Sequence, residues 1–127
     1  MDADGVVRIL IVDDNPEHIE LSREYLSDDC FSVDSATSFE EGLDKLKRGQ
    51  YDLAVLDYDL HHRTGMDLFD EISRLGIDLK VIFVTGYDDP DLSFEARRKG
   101  ACDYMVKSFR YFEELGERIK ETLEECR

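Results

Sequence analysis

Six residues able to do chemistry follow directly, or within three residues, behind short apolar runs rich in β-branched side chains. Asp13 and Asp14 follow the run at 6–12, Asp57 and Asp59 the run at 53–56, Thr85 the run at 81–84, and Lys107 the run at 104–106. In an open parallel sheet, ligands bind beyond the carboxyl ends of the strands, near the point where the winding reverses. Such residues therefore share one rim. Clustered carboxylates repel by about 4 kcal/mol per pair at about 4 Å and an effective dielectric near 20. Asp13, Asp14 and Asp57 accordingly call for a compensating cation, and a few oxygen ligands suit Mg²⁺, which keeps several waters and binds beside phosphoryl groups. Lys107 adds a positive charge and Thr85 a hydrogen-bond donor. The chemistry so assembled is in-line transfer of a phosphoryl group to an aspartate carboxylate. Each member has a duller role on its own: Asp13 or Asp14 as a helix cap, Asp57 and Thr85 as turn residues, Lys107 as a solvated surface residue. The ordered set is what carries the chemical reading.

The elements that must position these groups alternate. Runs at 6–12, 53–56 and 81–84 are apolar nearly throughout, as strands covered on both faces should be, while the mixed run at 31–33 suits a sheet edge. Helical periodicity lies between them. Ser38 and Glu41 form a capping-box pattern ahead of a stripe of Phe39, Gly42, Leu43 and Leu46, with Gly49 as the stop. Leu68, Phe69, Ile72 and Leu75 form a second stripe ending at Gly76, and Phe112, Leu115, Ile119 and Leu123 a third. Asp14 is expected to cap a helix entered through Pro16 that buries Ile19, Tyr25 and Leu26. Asp89-Pro90 opens a fourth helix, around 92–99, whose apolar set is only Leu92, Phe94 and Ala96. Five strands alternating with helices on short connections imply an α/β fold, a parallel sheet with helices on both faces.

Composition sets the outer limits. The 127 residues make about one domain, and 16 Lys and Arg against 31 Asp and Glu give a formal charge of −15, which disfavours binding to nucleic-acid backbones. At 42% hydrophobic the chain supports an ordinary core, and its longest apolar stretches are too short to span a membrane or serve as a secretory signal. Cys30, Cys102 and Cys126 are odd in number and far apart, which excludes a C-x-x-C pair and fits a cytoplasmic chain with ordinary thiols.

Four ordered motifs now carry a resemblance. Ile9-Leu10-Ile11-Val12-Asp13-Asp14-Asn15, Asp57-Tyr58-Asp59-Leu60 leading to Gly65, Val84-Thr85-Gly86, and Gly100-Ala101-Cys102-Asp103-Tyr104-Met105-Val106-Lys107 closely resemble the receiver domain of two-component response regulators. The resemblance implies a flavodoxin-like, doubly wound sheet of order 2-1-3-4-5 flanked by five helices. It further implies one receiver domain over 1–127, with a core over about 6–124 and no output domain following. It makes Asp57 the phosphoacceptor, and Asp13, Asp14, Asp57 and the backbone carbonyl of Asp59 the ligands of Mg²⁺, with Mn²⁺ as the substitute ion. Thr85 and Lys107 become the phosphoryl-binding pair, Tyr104 the switch aromatic, and Asp59 and Tyr87 the modulators of phosphoryl lifetime.

The implied partners are a histidine kinase or phosphotransfer protein as donor and a downstream protein, with no nucleic acid or membrane, the chain being a monomer or a phosphorylation-dependent dimer. Such a domain is a signalling module rather than an enzyme, catalysing only its own phosphorylation and dephosphorylation. Inward movement of the Thr85 hydroxyl is expected to vacate space that Tyr104 fills, remodelling the surface of the fourth helix, fifth strand and fifth helix.

Two departures stand out. Ser108 follows Lys107 where the family usually carries Pro behind a cis bond; a cis bond before Ser costs about 3 kcal/mol, so a trans bond is expected. His61 stands where Pro is common, and the pair His61-His62 reads as solvated loop residues rather than a transition-metal site. The competing reading is a haloacid-dehalogenase-like, Mg²⁺-dependent phosphatase using Asp57 and Asp59 as a D-x-D motif, which leaves Asp13 and Asp14 unexplained. A flavodoxin-like electron carrier shares the architecture but would place Asp13 and Asp14 against a flavin phosphate.

Overall fold

The computed structural model describes residues 5–28 and 30–125; Cys126, noted above, lies outside them. Element order is β1 (Val7–Val12), α1 (Pro16–Tyr25), β2 (Phe31–Ala36), α2 (Phe39–Arg48), β3 (Leu53–Asp57), β4 (Asp59–Leu60), β5 (Arg63–Thr64), α3 (Gly65–Leu75), β6 (Lys80–Thr85), α4 (Pro90–Arg98), β7 (Asp103–Val106) and α5 (Tyr111–Glu125). Five strands form one parallel sheet in the order β2-β1-β3-β6-β7. Because β4 and β5 pair only with each other, in an antiparallel ribbon, this is the expected 2-1-3-4-5 winding, and the mixed strand β2 is an edge.

Alternation along each strand divides the core in two, since successive side chains leave a strand on opposite faces. Val7, Ile9 and Ile11 of β1 pack with Ile19, Leu115 and Ile119 of α1 and α5, whereas Leu10 and Val12 pack with Phe39, Leu46, Leu68 and Ile72 of α2 and α3. Both faces are thus covered. Winding reverses between β1 and β3, so the tips carrying Asp13 and Asp57 are neighbours (Val12 is in register with Leu56).

Several local details differ from the sequence expectations. The cap of α1 is Asn15, whose side chain accepts from the Glu17 N–H, so Asp14 is not a cap and is left facing the rim. Tyr25 is exposed, and Ser22 takes its place in the buried stripe with Ile19 and Leu26. At α2, Ser38 accepts from the Glu41 N–H, but the Glu41 carboxylate accepts from Thr37 rather than completing the box on Ser38. A full box occurs at α3, between Thr64 and Asp67. Phe94 is 70% exposed, because positions 92, 94 and 96 do not share a helical face. Leu75 is also exposed, in the last turn of α3.

One glycine is required by close approach. A Cβ on Gly65 would collide with the Asp57 backbone carbonyl oxygen, with no flexible atom able to give way. The Gly65 N–H also donates to the Tyr58 carbonyl at 2.8 Å, holding the start of α3 against the end of β3. Gly65→Ala is therefore expected to cost about 3 kcal/mol in urea unfolding and to shift the Asp57 amide resonance. A midpoint equal to wild type would show that the backbone there has slack.

Candidate functional site

Four of the five sheet strands, β1, β3, β6 and β7, end by handing polar groups to the rim. The Asp13 N–H pairs with the Ala36 carbonyl at 3.0 Å, keeping the chain in sheet register as it leaves β1, and the Asp13 carboxylate also accepts from the Asn15 N–H at 2.9 Å. Asp57 is the last residue of β3 and Thr85 the last of β6. The Lys107 N–H pairs with the Thr85 carbonyl at 2.8 Å, so the strand following the β6–α4 connection delivers Lys107 beside Thr85. Asp13, Asp57 and Thr85 are buried and Asp14 is half-buried.

The geometry centres on the Lys107 ammonium. Its Nζ donates to Asp13 Oδ2 at 2.6 Å and to Asp57 Oδ2 at 2.9 Å, and it lies 2.9 Å from His18 Nδ1. Carboxylate oxygens of Asp13, Asp14 and Asp57 lie within 4.8 Å of one another, the one group of three or more candidate metal-ligating side chains among the described residues. Such an all-oxygen donor set fits a hard divalent cation of the Mg²⁺ type. His61 and His62 fall outside it: their ring centroids are 6.4 Å apart, and His61 Nε2 sits 3.6 Å from Asp14 Oδ2.

Electrostatics follow from burial and neighbours. Burial pushes the Asp57 carboxyl up to about 6; the Lys107 hydrogen bond and charge oppose this, and the Asp13 charge adds to it. Lys107 itself is held above its ordinary value, because its two carboxylate partners outweigh its own burial. The cluster is thus one cation shared by two inward-facing acids, with Asp14 a third negative group at its edge.

The remaining residues singled out from the sequence are placed as follows. Asp59 is exposed, and its N–H donates to Asp57 Oδ1 at 3.3 Å. The Thr85 hydroxyl accepts from the Tyr87 N–H at 3.2 Å, and the Tyr104 hydroxyl donates to the Tyr87 carbonyl at 3.2 Å. Tyr104 is already buried, its ring stacked parallel on Phe83 at 6.4 Å. In this arrangement the Tyr87 carbonyl satisfies its hydroxyl and Phe83 supplies the packing. The Tyr87 side chain is exposed.

At the two family departures, local backbone chemistry decides. No peptide bond is cis among the described residues, so the one before Ser108 is trans as expected. The Ser108 N–H donates to the Val106 carbonyl at 2.8 Å, a bond that proline could not make. His61 has φ +65, in the left-handed region closed to proline, and forms with His62 the turn of the β4–β5 ribbon. Arg63 anchors that ribbon, its guanidinium 3.7 Å above the Phe39 ring of α2. Neither the ribbon nor His18 is singled out by the sequence reading. The one available signal for His18 was its place in the first turn of a helix that starts beside Asp13.

Comparisons with known proteins agree with this geometry. The family model of the response regulator receiver domain matches residues 9–120. The chain is 32% identical over 103 residues to the transcriptional regulatory protein DltR of Streptococcus agalactiae serotype III, covering 81% of this chain and 46% of that protein. It is 32% identical over 108 residues to the transcriptional regulatory protein MalR of Bacillus subtilis, with 84% and 46% coverage. The chain thus spans less than half the length of these curated relatives. Among solved structures, a CheY-like response regulator receiver domain protein from Methanospirillum hungatei superposes with a TM-score of 0.85 at 32% identity, over 94% of this chain and 95% of that one. The response regulator TrrA from Thermotoga maritima, solved in complex with Mg²⁺-BeF, gives 0.80 at 35% identity, over 92% and 99%. These likenesses overturn the haloacid-dehalogenase alternative, and the exposed Asp59 side chain, outside the acidic group, agrees.

Proposed function

The chain belongs to the response regulator receiver domains of two-component systems, and from that premise we propose that Asp57 accepts a phosphoryl group from a phosphohistidine and that Thr85 and Lys107 hold its oxygens. The observation that carries this reading is the shared Lys107 ammonium, 2.9 Å from Asp57 and backed by two further acids. Asp13, Asp14, Asp57 and the Asp59 carbonyl would hold Mg²⁺, or Mn²⁺ in its place. When bound, the cation supplies charge neutralisation for the acids and the incoming phosphoryl group.

The protein's own groups do the rest. Burial of Asp57 limits water at the acceptor, and its N–H contact from Asp59 orients one carboxylate oxygen. With Asp13 serving the cation, Lys107 would be left to pair with the phosphoryl oxygens. Thr85 and Tyr104 both bond to the backbone of Tyr87, so a pull on the Thr85 hydroxyl acts on the segment that also holds Tyr104. The surface of α4, β7 and α5 would carry the change outward. Asp59 and the exposed Tyr87 would tune how long the phosphoryl group survives, and loss to water would be self-catalysed.

The domain acts as one receiver unit, in keeping with the match to 9–120. A histidine kinase or phosphotransfer protein would be the donor, and a downstream protein the target. No helix among the described residues is long and apolar enough to cross a membrane; a cytoplasmic site of action, as a monomer or phosphorylation-dependent dimer, completes the proposal. Acetyl phosphate with Mg²⁺ is expected to add one phosphoryl mass to the intact protein, and chelation to suppress it. A label that is independent of the metal would overturn the reading.

A further inference from the structure

An ammonium has three N–H donors and no lone pair, and at Lys107 each donor faces a different element. Asp13 lies just beyond β1 at 2.6 Å, Asp57 ends β3 at 2.9 Å, and His18, in the first turns of α1, presents Nδ1 at 2.9 Å. Nδ1 faces a donor and so carries its lone pair, which places the ring proton on Nε2. The ring is braced on its other side by an edge-on contact with Phe112 of α5, centroids 5.6 Å apart, and its own backbone carbonyl accepts from the Ser22 hydroxyl at 2.8 Å. A lysine on a flexible four-carbon stem between two carboxylates can settle against either. The third acceptor defines where it stops.

We infer that His18 is a positioning residue, the neutral acceptor that keeps Lys107 against Asp57 when Asp13 leaves it for a divalent cation. The inference rests on the receiver reading above. Asp13 Oδ1 already accepts from the Asn15 N–H, so a cation that takes Oδ2 competes with the ammonium for it, and Lys107 would then retain two partners, Asp57 and His18. Without His18 it would retain one. Being uncharged in this role, His18 holds the ammonium without adding a fourth negative group to Asp13, Asp14 and Asp57. It touches neither the transferred group nor the cation.

Two variants separate positioning from packing. His18→Phe keeps an aromatic ring against Phe112 but has no acceptor, and His18→Asn loses the ring but offers a carbonyl oxygen near the place of Nδ1. At saturating Mg²⁺, His18→Phe is expected to take label from acetyl phosphate about tenfold more slowly than wild type, with Mg²⁺ affinity changed less than about twofold, and His18→Asn to recover to within about threefold. Nitrogen resonances of His18 should show a protonated Nε2 and an unprotonated Nδ1. Labelling of His18→Phe at the wild-type rate, equal slowing in both variants, or a protonated Nδ1 in the neutral ring would each overturn the inference while leaving the receiver reading intact. A wild-type protein that takes no label would overturn that reading and the inference with it.

Discussion

Asp57→Asn is expected to abolish labelling by acetyl phosphate and, in the same molecule, to stabilise the metal-free fold by about 2 kcal/mol at pH 7.5. Loss of label follows because the amide offers no carboxylate nucleophile. The gain in stability follows from burial. Asp57 is pushed up to about 6 in the folded protein, chiefly by burial with the Asp13 charge adding to it, against about 3.9 in the unfolded chain. A carboxyl raised on folding binds its proton more tightly in the native state. Its ionisation therefore costs nothing below about pH 4, erodes stability between about 4 and 6, and leaves the full loss in place above that. Asparagine has no such loss, although it gives Lys107 a neutral partner in place of a charged one. Urea unfolding in a chelator at pH 7.5 and again at pH 4.5 measures the difference. A variant no more stable than wild type at the higher pH would mean that Lys107 already compensates Asp57 in full.

Lys107→Met should move stability the other way. The substitution keeps most of the side-chain length and removes the charge, leaving Asp13 and Asp57 buried without their shared partner, at side-chain exposures of 6% and 11%. Breaking one side of a buried ion pair costs about 3 kcal/mol, so the metal-free variant is expected to unfold at markedly lower urea. Addition of Mg²⁺ should restore more stability than it does in wild type, because the acids no longer have an ammonium competing for them and binding to the native state stabilises by mass action. The phosphorylated variant, lacking its partner for the phosphoryl oxygens, should fail to show the shifts on α4, β7 and α5 that are expected of the wild type. Identical unfolding midpoints in chelator would mean that the carboxylates are solvated. The two substitutions share one cluster and should not add: Asp57→Asn is expected to rescue part of the Lys107→Met loss, since it removes one of the two stranded charges.

Much of this protein is legible from its residues alone. Continuous apolar runs mark β1, β3 and β6 as strands buried on both faces, and alternation with helical periodicity leaves a parallel, doubly wound sheet as the economical arrangement. That architecture in turn brings the residues behind each run to one edge, which is why Asp13, Asp14, Asp57, Thr85 and Lys107 are legible as one group from the sequence. These are consequences of local periodicity and of a short list of connection rules.

Other features were decided only in three dimensions. Asn15 rather than Asp14 caps α1, its side chain accepting from the Glu17 N–H, which leaves the Asp14 carboxylate with those of Asp13 and Asp57. His61 takes a left-handed turn held by Arg63 on Phe39, and the buried Tyr104 has its hydroxyl accepted by a carbonyl 17 positions away, on the far side of α4 in the sequence. Above all, Lys107 bonds to Asp13 across 94 positions and to His18 across 89. Residue type and spacing dictate which segments become strands and helices, since those choices are made among near neighbours. Which charged and polar groups then share a proton donor depends on distances through space, and those are set only when the sheet closes its order and the helices pack down on it.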